Sequence, residues 1–456
     1  MNPVRLMKTL AFPVIALLIV FGTHSSLFAY AALGLSAVYL VMAGVDEALY
    51  LLVFLLNMAN IFKPGPDSTS FYTYLIFLYV LRVILQKRQL EPLILLFAAY
   101  LVIIQIVNQN IDALKTIKLI VYMLLISYVM NNKETFRMDR ILAFYVAGVL
   151  LASVVTYLDS DFFRISALSL TKQLGRSYGY GDVARFSGLD TDPNYYSVAV
   201  IISMCIVVLF YHKKKINAVL MIAILSGLFS FVIQTYSKSA FLMSALPIVV
   251  LLYGNTKAKR NGMQIFFVVL LGAVGLYMLS GKANFLDIIM TRFSVGKTDV
   301  GSLTTGRSVI WNQYFNDFRE HILRLFFGVG VSSPFARSHA AHNTYIEMLH
   351  SVGVIGSMLF LVSLRTPIRA TKVRKNLLNY SIGFCIFVMY FFLSEMYYYD
   401  SVFHLLIAKI VFDMDFDFSG ASAPKKLIIG DASPLAAKNP FRPRAAEPVT
   451  AVERGH

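Results

Sequence analysis

Apolar stretches of roughly 17–25 residues, the length that crosses the hydrocarbon core of a bilayer, follow one another along this chain with little polar interruption. They centre near Ile15, Leu35, Phe54, Leu78, Phe97, Leu124, Val149, Ile202, Ile224, Pro247, Val269, Phe360, Val388 and Leu406. The succession predicts an all-α chain, a polytopic transmembrane helical bundle of about 12–14 spans. The spread in that number comes from the second, third and tenth stretches, which are short or weakly separated. Of the 456 residues, 57% are hydrophobic and 14% charged, against about 25% charged in a soluble domain. A water-soluble core of this size would leave too little polar surface to face solvent. Cys205 and Cys385 both lie inside apolar runs and read as small core residues, not as a disulfide or metal pair.

A net charge of +16 would suggest nucleic acid in a soluble protein. In a membrane chain it reports orientation instead, because cytoplasmic loops concentrate Lys and Arg. Arg5/Lys8, Lys87/Arg88, Lys133/Arg137/Arg140, Lys213 to Lys215, Lys257/Lys259/Arg260 and Arg365 to Lys375 fall on one side of the alternating spans. That side is cytoplasmic by the positive-inside rule, and nucleic acid is not expected as a partner. The run Leu10 to Gly22, with Ala29-Tyr30-Ala31 after it, weakly resembles a secretory signal. The apolar sequence resumes at Leu27, which favours an uncleaved first span. Residues 1–413 form the transmembrane domain on this reading. Residues 414–456, with Pro434, Pro440, Pro443 and Pro448 among Ala, Lys and Arg, form a disordered cytoplasmic tail.

Two longer loops fall on the opposite, extracytoplasmic side, about residues 159–191 and 282–341. The second is long enough for amphipathic helices, with Trp311, Phe315, Phe318 and Ile322 at helical spacing. Both are rich in cations: Arg164, Lys172, Arg176 and Arg185, then Lys282, Arg292, Lys297, Arg307, Arg319, Arg324 and Arg337. Long loops are partly exempt from the orientation rule; an anionic ligand at the outer surface is the other explanation.

Candidate chemistry sits where these loops meet the membrane. Arg185-Phe186-Ser187-Gly188-Leu189 leads into Asp192-Pro193-Asn194. Asp192 is a good N-cap and Pro193 a good first helical residue. A helix start does not account for Arg185, whose forked donors match phosphate oxygens; snorkelling to lipid headgroups is its alternative. Lys238 lies in a tight outer turn, either as an interfacial anchor or as a second cation near Arg185. Lys115 and Lys118 open the sixth span from the same side and are weaker candidates. The second loop closes in His342-Asn343, before a span containing Gly353 and Gly356. His suits proton transfer from a hydroxyl near neutrality, although a lone interfacial His is more often simply polar. Gly353 and Gly356 would allow close approach of another helix. His339 and His350 flank His342 without any zinc-site spacing, so no protein-bound metal is expected.

Arg185-x3-Leu189 and His342-Asn343-x9-Gly353-x2-Gly356, in that order and on one side, resemble the two signatures of the O-antigen ligase and Wzy-type polymerase superfamily. Ser237-Lys238 stands where that family usually has Ser-Arg, a conservative departure. Thr305-Gly306-Arg307 before Trp311, and Gly328-Val329-Gly330, are similar to recurrent features of its large loop. The resemblance covers Arg185 to Gly356; the earlier spans share only their hydrophobicity.

The resemblance implies a C-type glycosyltransferase-like fold with a large extracytoplasmic loop, multi-pass in the bacterial plasma (inner) membrane. It implies an undecaprenyl-pyrophosphate-linked glycan as donor, inversion at the anomeric carbon, and neither cofactor nor metal. A chain-length regulator would be a protein partner. In roles, Arg185 and Lys238 would hold the pyrophosphate, and His342 would orient or deprotonate the attacking hydroxyl. Arg307 and Arg176 would clamp phosphate or glycan; Asn343 and Asn194 would support substrate by hydrogen bonding. A polymerase of repeat units is the first reading and a ligase to lipid A–core or another acceptor the second. A flippase of lipid-linked glycan is a non-enzymatic third. It would need charges along a two-sided path, whereas Arg82 and Lys409 lie near cytoplasmic ends and the other basic groups cluster outside.

Overall fold

A computed structural model describes residues 3–22, 24–64, 68–86, 92–109, 112–132, 135–158, 175–178, 184–190, 192–247, 259–279, 307–331, 341, 343–363, 403–404, 406–407 and 410–411. The chain divides into Met1–Met414 and Asp415–His456. The second unit, expected as a disordered tail, lies outside the described residues, as does the stretch around Val388.

The apolar stretches become helices: α1 (Pro3–Gly22), α2 (Ser26–Met42), α3 (Val45–Leu55) with a 3₁₀ continuation (Leu56–Phe62), α4 (Phe71–Leu85), α5 (Pro92–Val107), α6 (Ala113–Asn131) and α7 (Met138–Leu158). There follow α8 (Pro193–His212), α9 (Ala218–Gln234), α10 (Lys238–Met243), α11 (Lys259–Leu279), α12 (Arg307–Glu320), α13 (Ile322–Phe327) and α14 (Thr344–Ser363). Short polar side chains set where several begin. Ser70 accepts from Tyr72 N–H, Asp112 from Lys115 N–H, Asp192 from Asn194 N–H and Asn217 from Leu220 N–H, each satisfying an orphan donor of the first turn.

Five described segments are long and apolar enough to cross a membrane: Val45–Phe62, Ala113–Asn131, Met138–Leu158, Pro193–His212 and Thr344–Val362. Leu10–Gly22, Ser26–Met42, Phe71–Leu85, Pro92–Val107, Ala218–Gln234 and Ile265–Gly275 are apolar but shorter. The expected 12–14 spans therefore become five by length among the described residues. Six other expected spans, centred near Ile15, Leu35, Leu78, Phe97, Ile224 and Val269, coincide with the shorter apolar helices, and the stretch around Val388 lies outside the described residues. Large apolar side chains such as Leu27, Val41, Leu85, Ile103, Val107 and Leu158 stand on outward faces, an arrangement that lipid satisfies and water does not. Length, composition and this outward face make the chain membrane-associated.

Packing is organised around two helices buried nearly all round, as expected for central members of a bundle. One is α3, whose residues Ala48 to Leu56 are all buried; the other is α8 from Tyr196 to Leu209. Helix α7 lies between them and packs on both. Gly148 of α7 meets the Phe54 carbonyl so closely that a Cβ would collide with it. Tyrosines satisfy the polar groups of the buried helix: Tyr72 Oη donates to Leu52 O at 2.7 Å and Tyr79 Oη to Val45 O at 3.2 Å.

Interhelix contacts agree with the alternation of charge. Arg82 donates to the carbonyls of Leu40 and Ala43, and Lys215 meets Asp139 at 3.7 Å; all are assigned by sequence to the cytoplasmic side. Lys118 donates to Thr69 Oγ1 at 2.7 Å, and Lys115 pairs with Asp112 at 3.5 Å, both at the opposite ends. The first of these bonds ties two helix ends and the second lies within the first turn of α6, so both of the weaker cation candidates have partners.

Two features correct the all-helical expectation. Residues Gly175–Tyr178 (β1) and Ala184–Gly188 (β2) form a two-stranded antiparallel hairpin. The stripe of α12 is also shifted: Tyr314, Asp317 and Phe318 are buried and Trp311 is partly buried, whereas Phe315 and Ile322 are exposed. Residues 314, 317 and 318 centre the buried face, Trp311 lies at its edge and Phe315 beyond that edge; Ile322 belongs to α13.

Replacing Gly148 by Ala is expected to destabilise the protein by about 1–3 kcal/mol through overpacking against a backbone atom. Gly34→Ala, where a Cβ meets nothing within 4 Å, serves as control. Thermal unfolding in detergent should show a lowered midpoint for the first and none for the second.

Candidate functional site

The Arg185 segment is held by its neighbours in sequence. Phe186 is buried between the Tyr196 ring, edge-on at 5.4 Å, and the Phe231 ring, stacked at 5.5 Å. Tyr196 Oη and Ser153 Oγ are 2.6 Å apart, so strand β2 is fixed to α7, α8 and α9 together. The strand ends at Gly188, whose φ of 58° lies in the left-handed region. A Cβ there would run into the Tyr196 ring, so both conformation and space require glycine. Beyond it Ser187 Oγ donates to Asp190 O at 2.8 Å, and Asp192 starts α8. Arg176 and Arg185 lie on adjacent paired strands, with registers Arg176↔Phe186 and Ser177↔Arg185.

The Lys238 turn is joined directly to this helix start. Tyr236 takes φ 47°, an uncommon conformation for a bulky residue, and Ser237 follows it. Ser237 Oγ donates to Asn194 Oδ1 at 2.7 Å and accepts from Ala240 N–H at 3.3 Å. Asn194 Nδ2 donates in turn to Asp192 Oδ1 at 2.9 Å. Both ends of the Asn194 amide are thus engaged in bracing two loops. Lys238 is the first residue of α10, one position after the serine that makes the junction.

Arg307 opens α12 on the far side of Asp192. Burial lowers its pKa from the ordinary value, while Asp192 and Tyr195 act in the raising direction. A guanidinium remains a cation throughout. The Asp192 carboxylate consequently caps α8, anchors Asn194 and acts on Arg307. The sequence presented Asp192 only as a cap; its position between two cation-bearing loops is a tertiary fact.

Helix α12 also reaches the His342 motif. Trp311 Nε1 donates to Ala341 O at 2.8 Å, and Ala341 N–H donates to Glu347 Oε2 at 3.0 Å. The backbone immediately before His342 is therefore pinned at both its polar groups. Immediately after it, Asn343 Oδ1 accepts from Tyr345 N–H at 3.0 Å and Ile346 N–H at 3.3 Å, capping α14. His342 itself, and the side chains of Arg176, Arg185 and Lys238, lie outside the described residues.

A second polar cluster fastens α12 to α14. Asp317, buried, takes Arg324 Nη1 at 2.6 Å, and His350 Nε2 lies 3.6 Å from its other oxygen. The Tyr314 ring meets the His350 ring edge-on at 5.1 Å. Sequence reading treated His350 only as a neighbour of His342 and overlooked Asp317. The available signal was a carboxylate three residues after an aromatic on the inward stripe of α12.

The arrangement brings the Asp192–Asn194 segment, the Ser237–Lys238 turn and the Arg307 end of α12 into one neighbourhood. Through Trp311 it ties the last of these to the residue before His342. Such an assembly can offer fixed cations to an anion. Asn343 Oδ1 is engaged in capping; replacing the residue by Ala should cost about 1 kcal/mol of stability. Asn343→Asp, which keeps the acceptor, should restore the unfolding midpoint.

No family model matches the chain, and neither a curated protein nor a solved structure matches it.

Proposed function

We propose that this protein is a multi-pass glycosyltransferase of the bacterial plasma membrane that polymerises undecaprenyl-pyrophosphate-linked repeat units at the outer face. The reading rests on the motif resemblance from Arg185 to Gly356. The observation that carries it is the junction of the motif segments. Ser237 binds Asn194, Asp192 acts on Arg307, and Trp311 holds the residue before His342. Loops far apart in sequence and each bearing a predicted site residue are thereby gathered.

In this reaction the acceptor hydroxyl oxygen attacks the anomeric carbon while the bond from that carbon to the pyrophosphate oxygen breaks. The electron pair of the broken bond leaves on the pyrophosphate, and the hydroxyl proton passes to His342. Pyrophosphate is a good leaving group, so the main task is to stabilise charge growing on its oxygen. Arg185, Lys238 and Arg307 serve that task, since fixed cations in a partly dehydrated site lower such a barrier by several kcal/mol, on the order of other oxyanion sites. Arg176 contributes to holding phosphate or glycan. Asn194 acts as a brace between the two cation-bearing segments.

Transport of the same lipid is less well supported. Arg82 donates to the Leu40 and Ala43 carbonyls, an engagement that closes a bend between helices and lines no path.

Arg185→Ala and His342→Ala should each leave the protein in the membrane and reduce formation of long glycan chains at least about 100-fold. Reconstitution with a lipid-linked repeat unit as the sole substrate measures it. Laddered products support the polymerase. Products only after addition of lipid A–core would assign the ligase instead, and wild-type chain lengths in both variants would sink the glycosyltransferase reading.

A further inference from the structure

The loop helix α13 ends against the middle of the membrane helix α14. Gly353, at φ 67°, breaks α14 into two halves. A Cβ at Gly353 would strike the carbonyl of Phe326 and the amide of Gly328, so the end of α13 sits in the notch. Val329 N–H donates to His350 O at 3.0 Å and Gly330 N–H to Ser351 O at 2.8 Å. From the other flank, Tyr100 Oη of α5 lies 2.9 Å from both Phe327 O and Val352 O. Gly353 is nine residues from Thr344 and ten from Ser363; Tyr100 is eight from Pro92 and seven from Val107. Two neighbouring helices thus place the Phe326–Gly328 backbone halfway along their lengths, roughly 14 Å from the start of α14 at 1.5 Å per residue.

The first half of α14 is needed for crossing. Gly353 to Ser363 is 11 residues, about 16 Å of helix, against a hydrocarbon core of about 30 Å. Arg365 and Arg369 follow at once, and charged residues are costly inside that core. The notch at Gly353 consequently lies well inside the apolar layer, and α13 with it.

The surface of α13 suits that depth. Ile322 is 54% exposed, Leu323 70%, Phe326 46% and Phe327 47%, and Leu96, Ile103 and Val107 of α5 are likewise exposed. The one cation of the helix, Arg324, is paired with Asp317. Backbone groups at the turn after α13 have partners: Gly328 N–H donates to Arg324 O, and the Phe327 carbonyl meets Tyr100. Non-helical backbone at membrane depth requires such satisfaction by protein.

We infer that α13 is a re-entrant wedge, embedded with its Ile322, Leu323, Phe326 and Phe327 side chains among the acyl chains of the outer leaflet. The loop between α11 and α14 is therefore partly a lipid-bound element and not wholly an aqueous one. The inference rests on α5 and α14 as membrane helices and not on the glycan chemistry.

The chain has a single tryptophan, Trp311, which makes depth measurable without labels. In Trp311→Phe protein, Leu323→Trp and Phe326→Trp provide reporters on α13, and Ile103→Trp provides a lipid-facing reference on α5. The full chain is reconstituted in phosphatidylcholine vesicles with lipids brominated along their acyl chains. Both α13 reporters should lose most of their emission, to the extent seen for Ile103→Trp, and should resist quenching by aqueous iodide. Emission quenched by iodide but not by brominated lipid would place α13 in water and overturn the inference, as would protection from both quenchers. Both substituted side chains are exposed, so either reporter decides if the other variant does not fold. Absence of glycan transfer by the unsubstituted chain, with quenching as expected in the reporters, would leave the wedge standing and count only against the function proposed above.

Discussion

A backbone polar group in hydrocarbon has no water to turn to, and that constraint shapes the break in α14. With Gly353 out of helical conformation, the carbonyls of His350, Ser351 and Val352 on its N-terminal side need donors. Two come from the Val329 and Gly330 amides, and the third shares the single Tyr100 hydroxyl proton with Phe327 O. A helix defect and a loop are solved together. The broken helix needs the Val329 and Gly330 amides, and those two donors are satisfied there. Glycine at 328, 330 and 353 is what permits it, since each has positive φ and two of them meet with no room for a Cβ.

The sequence made helices legible because hydropathy alone selects them in lipid, and positive charge made their direction legible. Each expected centre from Ile15 to Val269, and that near Phe360, falls in a helical segment. Spacing predicted the Asp192-Pro193 start, which depends on a side chain and its own next residues. It could not reveal the Asn194–Ser237 bond or the action of Asp192 on Arg307, because these join segments 43 and more residues apart. The hairpin escaped for a similar reason. Four- and five-residue strands with no apolar alternation carry little local signal, and Phe186 fixes β2 only through rings borrowed from α8 and α9. Gly353 was legible as a place of close approach, but the partner is a loop backbone and not a second helix.

The distribution of buried charge separates structural from candidate reactive groups. Asp317 and Arg324 neutralise one another beside His350 at the α12–α14 contact, and removing either would leave an uncompensated charge. Arg82 is spent on carbonyls, and Lys115 and Lys118 on Asp112 and Thr69. Arg307 differs, since its charge partner Asp192 is already committed to the first turn of α8 and to Asn194. Both bonds fall on Asp192 Oδ1, so this carboxylate is shared between the helix start and the guanidinium. Donor capacity on a fixed cation is what phosphate recognition draws on.

The wedge and the candidate site are two ends of one rigid path. Helix α12 carries Arg307 at its start and Tyr314 and Asp317 further along, and α13 follows after His321. If α13 is seated in the leaflet, the level of Arg307 is set by the membrane itself through the length of α12. Its 14 residues give about 21 Å, enough to run from the depth of the notch, about 14 Å in, to the headgroup region, where a lipid-linked pyrophosphate would present its charge. A loop standing free in water would have to find that level by diffusion and lose conformational entropy on each encounter. Seating one end in lipid meets that cost during folding, so the cations arrive already at the height of the group they would bind.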